Sequence, residues 1–475
     1  MKKLVFGLIL CIQVIMPALA QDTSYLYFDA YYEQVMLNHP MARYANLLPA
    51  MAKAELRSAK GAFDPVLSAD LNGKRTKGEN SFTYLEPTLK IPTRIGVDVK
   101  AGLDQSSGIS VSPERSKYTT TPSDVFYQLY YAGVSVPLLR GLVTDQRRNQ
   151  LKQAQLLQGL NEAEQVSTIN KLMLASAKAY WDWQMSYARL LFTRENFVLA
   201  ATRKEFIIKR IFAGEEKPID SVEAWMEYQR REALLAEAEV EYQNSTLELA
   251  NYLWDANNNP VQPAPGVIPA AKGSELISLS TDSLQALKDN AASAHPDIQK
   301  LEVKLAQTNL ERKLAIENLK PQLNVEYYPF QTYTNGSEDA VDGLFMKNYK
   351  FGVSFYSSLF LRKERGKLDL SNYKIKQSTL TLQQNRREVQ NAVMAAYNNL
   401  LTCKQLLEIQ TSLVSNAARM RDAEETRFIS GESSLFLVNQ RERSLLDAQI
   451  KLAELTAKYA KAKYQLQWAS GTRLF

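Results

Sequence analysis

Two histidines and two cysteines are all that this 475-residue chain holds of the residues that most often ligate transition metals. A multi-ligand His or Cys metal site is therefore nearly excluded, and a dedicated catalytic enzyme is the less favoured reading. Long apolar runs are scarce as well. The one present sits at the extreme N-terminus, which argues against a helical membrane protein. An excess of one charge is also missing: without Lys2 and Lys3, the 57 basic residues fall to 55 against 51 acidic ones, a net charge of +4. That balance gives no reason to expect nucleic acid as a partner. What is present is a hydrophobic fraction of 45%, close to the globular average, which argues against bulk disorder.

The N-terminus reads as an address. Lys2 and Lys3 precede an apolar stretch from Leu4 to Met16, and Ala18-Leu19-Ala20 fits a small-x-small cleavage pattern, so residues 1–20 read as a secretory signal peptide. Cys11 lies inside that stretch and no cysteine stands at the cleavage point, which argues against a lipid anchor. The mature chain keeps only Cys403 and forms no intrachain disulfide.

The decisive feature is an internal repeat. Both histidines sit in His-Pro pairs, His39-Pro40 and His295-Pro296, each followed at the same interval by another proline, Pro65 and Pro321. At this offset Ala30/Ala286, Glu55/Glu311, Ala59/Ala315 and Leu67/Leu323 also match. Further on, Gly133-Val134-Ser135 matches Gly352-Val353-Ser354, and Arg210-x-x-x-Gly214-Glu215 matches Arg427-x-x-x-Gly431-Glu432. The common order of these matches indicates duplication, with an insert in the first copy between Pro65 and Gly133.

Each copy follows one plan. A first helix runs from about Asp29 to Lys60 in copy one and from Asp282 to Leu319 in copy two. Strands follow: Leu323, Val325 and Tyr327 alternate with Asn324 and Glu326, Phe351, Val353 and Phe355 with Gly352 and Ser354, and Leu67, Ala69 and Leu71 with Ser68 and Asp70. Apolar-aromatic on one face and polar on the other, such strands suit a transmembrane β-barrel or a half-buried soluble sheet. The segment Phe82 to Gln105 reads either as another hairpin or as a surface loop. Two very long helices complete each copy. From Leu142 to Ala213 there is no proline, and from Lys367 to Ser430 neither proline nor glycine. A seam of alternating four- and three-residue steps (Val389, Val393, Ala396, Leu400, Cys403, Leu407) marks them as coiled-coil rods. The turns at Gly214 and Gly431 make each pair antiparallel. The strands of one chain are too few to close a barrel, which points to oligomerisation.

The boundaries are a leader at 1–20 and a first repeat at 21–258, with strands at about 65–137 and long helices at about 142–213 and 218–257. A Pro-rich linker at 259–281 leads to a second repeat at 282–475, with strands at about 322–359 and long helices at about 364–430 and 434–470.

With these residues in view, the sequence resembles the TolC-type outer-membrane channel family of efflux and secretion systems. The resemblance covers nearly the whole mature chain. It rests on the duplicated His-Pro helix, on Val136-Pro137-Leu138-Leu139-Arg140-Gly141, and on the turns Arg210-Ile-Phe-Ala-Gly214 and Arg427-Phe-Ile-Ser-Gly431. It implies a mixed α+β homotrimer: a 12-strand β-barrel in outer-membrane lipid, four strands per chain, continuous with a long periplasmic α-helical coiled-coil barrel. The linker would lie in an equatorial band outside that tunnel. Implied partners are a periplasmic adaptor (membrane fusion protein) and an inner-membrane transporter of RND, ABC or MFS type; no cofactor, catalytic residue or metal is implied.

The resemblance also singles out positions. The residue six after each turn glycine helps close the periplasmic end. Copy one has Asp220 there, which reads equally as a stabiliser of the helix start. Copy two has Leu437, where the namesake channel has a pore-facing Asp, and Gln440 stands at its second pore Asp. A tip of Leu437, Asn439 and Gln440 would restrict by steric and apolar contact instead of an acidic ring. Arg210, Gly214, Arg427 and Gly431 resemble the adaptor-docking turns, although plain turn chemistry explains the glycines too. Asp70, Glu326 and Lys350 are candidates for the barrel lumen. His39 and His295 read as helix geometry, Cys403 as a small core residue, and Tyr180-Trp181-Asp182-Trp183 as aromatic packing. Phe475 follows a helix end, so it does not read as the terminal aromatic of a barrel strand. An exported scaffold or adhesin remains the alternative function; it explains the rods but not the paired strand segments.

Overall fold

The computed structural model describes residues 24–76, 78–108, 127–214, 216–270, 281–332 and 349–471. Residues 1–20, expected to be a leader, and Phe475 lie outside the described residues. In copy one the elements run β1 (Tyr25–Leu26), α1 (Phe28–Asn38), α2 (Pro40–Gly61), β2 (Val66–Thr76), β3 (Glu79–Pro92), β4 (Asp98–Ser107), β5 (Tyr127–Pro137), α3 (Gln146–Phe212) and α4 (Pro218–Ala250). Copy two runs β6 (Ile268–Pro269), α5 (Thr281–Ala294), α6 (Pro296–Asn318), β7 (Gln322–Thr332), β8 (Tyr349–Tyr356), α7 (Arg362–Ile429) and α8 (Leu435–Ser470).

The single first helix expected in each copy is broken in two at its His-Pro pair. The proline ring drives the preceding residue out of the helical region, and His39 and His295 both have an extended ψ of 134°. At His295 the break doubles as a start signal, because its Nδ1 accepts the Asp297 N–H at 3.2 Å. Burial lowers the His295 imidazole below its ordinary value, which keeps the ring a neutral acceptor.

Six strands form one antiparallel sheet in the order β2-β3-β4-β5-β7-β8, and β1 pairs with β6 in a small parallel ribbon. The resemblance implies four strands per chain; the segment 82–105, left open between hairpin and loop, supplies most of the two additional ones. The helices α3 and α7 are 67 and 68 residues long, about 100 Å each at 1.5 Å per residue. They end where Gly214 and Gly431 turn left-handed, at φ +79° and +78°. Behind Gly431, the Glu432 N–H caps the Arg427 carbonyl at 2.9 Å.

The residues fall into two compact units, each drawn from both repeats. The first comprises residues up to Pro40, Leu172–Ser278 and Asn398–Gln465. Its centre is aromatic: Tyr31, Tyr180 and Trp183 are buried. Their polar ends are matched, with Tyr180 donating to the Leu26 carbonyl at 2.8 Å and Trp183 Nε1 to Thr246 at 3.0 Å. The second unit comprises Met41–Lys171, Leu279–Tyr397 and Leu466 onwards, and contains the sheet. There α2 buries Ala42, Ala45, Leu48 and Ala52 on one face, and Asn149 of α3 donates to the Leu310 carbonyl of α6 at 2.7 Å.

Gly471 ends α8 at φ +68°, and a Cβ there would lie 2.7 Å from His295 Cδ2 and 2.8 Å from Pro296 Cδ. Gly214 is equally left-handed but faces open space. Gly214→Ala should cost about 1 kcal/mol, the backbone penalty alone. Gly471→Ala should cost at least about twice that through ring overlap. Melting curves of the solubilised protein check this, and equal losses would contradict the packing described.

Candidate functional site

The sheet has two chemically distinct faces because paired residues of an antiparallel ladder point the same way. On one face the register runs Leu67↔Leu89, Leu89↔Ala101, Ala101↔Ala132, and onward through Val134↔Tyr327 and Tyr327↔Phe351. This face is open: Leu67 is 76% exposed and Phe351 67%. The other face is polar, and Asp70, Glu326 and Lys350 all lie on it. Asp70 stands opposite Glu86, and Lys350 opposite Tyr328. Glu326 accepts from Lys100 at 3.1 Å, Ser135 at 3.0 Å and Tyr328 at 2.9 Å. Glu86 accepts from Tyr131 at 3.0 Å and Tyr84 at 3.2 Å. Lys100 and Glu86 were not singled out in the sequence, because both lie in the segment that read equally as a loop.

The helical turns form the second candidate region. A small core of Ile207, Ala224, Phe428, Leu435 and Val438 joins all four long helices beside the turns. Around it large apolar side chains are bare, including Phe212 at 88%, Ile219, Met226 and Ile429. An open groove of about 520 Å³ between α3 and α7 is lined by Phe206, Arg210, Glu425, Phe428 and Ile429 among others. Arg210 pairs with Glu216 at 3.1 Å, whereas Arg427 is exposed and 3.7 Å from Glu424.

The two positions six after the glycines are equivalent in place and different in use. Both are the third residue of their helix. In copy one Lys217 offers no capping oxygen, and the Asp220 carboxylate instead accepts the Lys217 N–H at 3.3 Å. In copy two the Ser434 hydroxyl accepts the Leu437 N–H at 3.4 Å, so no carboxylate is needed there. Leu437 is 38% exposed and Gln440 is exposed. Asn439 is 2% exposed and donates to Glu223 of α4 at 3.2 Å; it holds α8 to α4.

Next to Asn439 lies a charge network, buried at Glu442, Glu227 and Arg231 and open at Glu425, that was not singled out in the sequence. Glu442 of α8 binds Arg203 of α3, and it lies 2.6 Å from Arg231 of α4. Glu227 lies 2.9 Å from Arg231 and also binds Arg443 of α8. Glu425 of α7 stands 3.5 Å from Arg203. Three arginines meet three carboxylates, so the cluster is neutral, and Arg231 spends a further donor on the Asn196 carbonyl at 3.0 Å. Burial alone would raise the Glu227 carboxyl, but the hydrogen bond from Arg443 and the Arg231 and Arg443 charges outweigh it and hold it below its ordinary value. The available signal was charge at core spacing: Glu227 and Arg231 fall in the buried series of α4 that includes Ala224 and Ala238.

Removing one partner from a buried network strands the others. Glu442→Gln should therefore lower stability by about 3–5 kcal/mol. Glu454→Gln, in the exposed 2.7 Å pair with Lys451, should cost under about 1 kcal/mol. Because the folded value of Glu227 is depressed, its contribution is complete above its ordinary 4.5 and is lost as pH falls through the lower folded value. Denaturant titrations should show this region indifferent to pH between 8 and 5 and weakened only below.

Among the described residues no helix is long and apolar enough to cross a membrane, and no group of His, Cys, Asp or Glu is placed to hold a metal ion. The outer membrane efflux protein family matches residues 287–472. No curated protein matches the chain in sequence. Solved structures do resemble it. The Campylobacter jejuni CmeC outer membrane channel superposes with a TM-score of 0.64 at 14% identity, over 93% of this chain and 85% of that one. The outer membrane protein VceC from Vibrio cholerae gives 0.64 at 16%, over 94% and 96%. The open state of the Neisseria gonorrhoeae MtrE outer membrane channel gives 0.65 at 15%, over 93% and 88%. The second repeat thus carries an outer membrane efflux protein domain, and the chain has the fold of the TolC-type outer-membrane channels.

Proposed function

We propose that this chain is the subunit of a passive outer-membrane exit channel, a homotrimer serving a tripartite efflux pump or a type I secretion system. The observation that carries this reading is the sheet: an exposed apolar face, a polar face laced by Glu326 and Glu86, and two open edges. Lipid suits the first, water the second, and neighbouring copies the third. A coiled-coil scaffold or adhesin has no use for such a sheet. The leader 1–20 fits export, and the outer membrane is the destination this chemistry supports.

The helices would extend into the periplasm. There the bare apolar residues around Gly214 and Gly431, with the groove that Arg210 lines, suit a docking surface for a periplasmic adaptor. An inner-membrane transporter of RND, ABC or MFS type supplies the energy and most of the choice of cargo. Leu437 and Gln440, exposed near the turn, are the residues proposed to narrow the closed end. Asp220, tied to the Lys217 backbone, and Asn439, tied to Glu223, would hold that end in shape.

Leu437→Asp tests the gate. In a trimer it adds three carboxylates, and single-channel current in planar bilayers should become sensitive to divalent-cation block, reversed by chelator. Asn439→Asp, at a buried position, should not create that block. Unchanged block in Leu437→Asp would remove this residue from the pore. An outer-membrane fraction empty of the protein would remove the channel reading itself.

A further inference from the structure

The strands β3 and β4 stand inside the sheet, between β2 and β5, and three observations treat them as wall instead of lid or loop. Their length is the first. They have 14 and 10 residues, against 11 in each of β5 and β7, and about 9–11 tilted residues cross a bilayer. Their joining turn is fastened at the helix end of the sheet. Thr93 Oγ1 donates to the Val97 carbonyl at 2.6 Å, Arg148 reaches the Ile95 carbonyl at 3.4 Å, and Arg147 of α3 lies 2.9 Å from Asp98. The hairpin therefore runs the full height of its neighbours.

The second observation is the shared alternation. Leu85, Leu89 and Ile91 of β3 and Val99, Ala101 and Leu103 of β4 lie on the apolar face with Val134 and Tyr327. Glu86, Thr88, Lys90, Lys100 and Gly102 lie on the polar one.

The third is a repeated device on the polar face. Gly133 of β5 leaves room for the Tyr328 ring of β7, since a Cβ there would lie 2.4 Å from Tyr328 Cδ1. One strand further on, Gly102 of β4 leaves the same room for the Tyr131 ring of β5, with a Cβ 2.6 Å from it. Tyr131 then crosses β4 to bond Glu86 and Thr88 of β3 at 3.0 and 2.7 Å. The additional strands are stitched to β5 and β7 by the same chemistry that stitches those two together.

We infer, resting on the trimeric channel reading, that all six strands are barrel wall and that three chains close an 18-strand barrel in place of a 12-strand one. An all-antiparallel sheet of six ends in strands of opposite sense, so β8 of one copy meets β2 of the next antiparallel and every edge is paired. At about 4.8 Å per strand and a tilt of about 40°, the backbone diameter rises from about 24 Å to about 36 Å. The partner that each open edge fits is thus a second copy of this chain, and Glu86, Lys90 and Lys100 of each copy join the lumen lining.

Two measurements on the full-length protein test this. Single cysteines in a Cys403→Ala background (Cys403 is the free cysteine of the described residues) would be probed in the outer membrane with a water-soluble maleimide. Lys90→Cys and Lys100→Cys should react at least tenfold faster than Leu89→Cys and Ala101→Cys, matching the contrast between Asn324→Cys and Val325→Cys on β7. Uniform reaction along β3 and β4, with the contrast kept on β7, overturns the inference. Loss of the contrast on β7 as well overturns the channel reading instead. Imaging the unmodified trimer in nanodiscs gives a count independent of any substitution: 18 strands in cross-section support the inference and 12 refute it.

Discussion

A β-sheet with one apolar face cannot leave its edge strands unpaired where water is absent, because each bare N–H or C=O costs several kcal/mol there. This constraint organises the second unit. Its sheet presents Leu67, Val353, Phe351 and their neighbours outward and ends in two open strands, β2 and β8. Among the described residues one chain supplies no further strand for either edge, so in the proposed membrane setting the apolar face and the need for further copies are one requirement seen from two sides. The polar face obeys the complementary rule. Glu326 draws donors from three strands at once, Lys100 of β4, Ser135 of β5 and Tyr328 of β7, and Glu86 from two, Tyr84 of β3 and Tyr131 of β5.

At the helix turns the problem is different. Four rods from distant parts of the chain must keep a fixed arrangement where the packed core is small, five buried residues around Ile207 and Val438. Apolar burial of that size leaves many arrangements close in energy. The neutral cluster of Arg203, Arg231, Arg443, Glu227, Glu425 and Glu442 selects one, because its geometry is satisfied only when α3, α4, α7 and α8 are in register. Displacing α8 from α4 would break its contacts with Glu223, Glu227 and Arg231 together.

The features legible in the sequence were those encoded locally or twice. The His-Pro pairs, the turn glycines and the proline-free rods pointed to a duplication, and period-two alternation marked β2, β7 and β8. Where one cue served two structures, reading stopped. The proline after His39 breaks its helix, although the apolar pattern continues across it. In β3 one internal proline, Pro87, and another at its end, Pro92, masked a strand whose alternation is otherwise clear. The charge cluster was hidden for another reason: apart from the local Glu227–Arg231 pair, its ion pairs join residues 211 to 239 positions apart, and only the core spacing of Glu227 and Arg231 hinted at it. Asp220 and Leu437 show the converse. Their alignment was plain, while the difference in their chemistry follows from the residue that precedes each helix, Lys217 or Ser434.

The central claim is that copies of this chain close a barrel in the outer membrane. The most direct measurement is the detergent-corrected mass of the protein extracted from outer-membrane fractions by sedimentation. The account predicts three times the mass of the mature protomer, with no monomer pool in the periplasm. A soluble periplasmic monomer or dimer would contradict it.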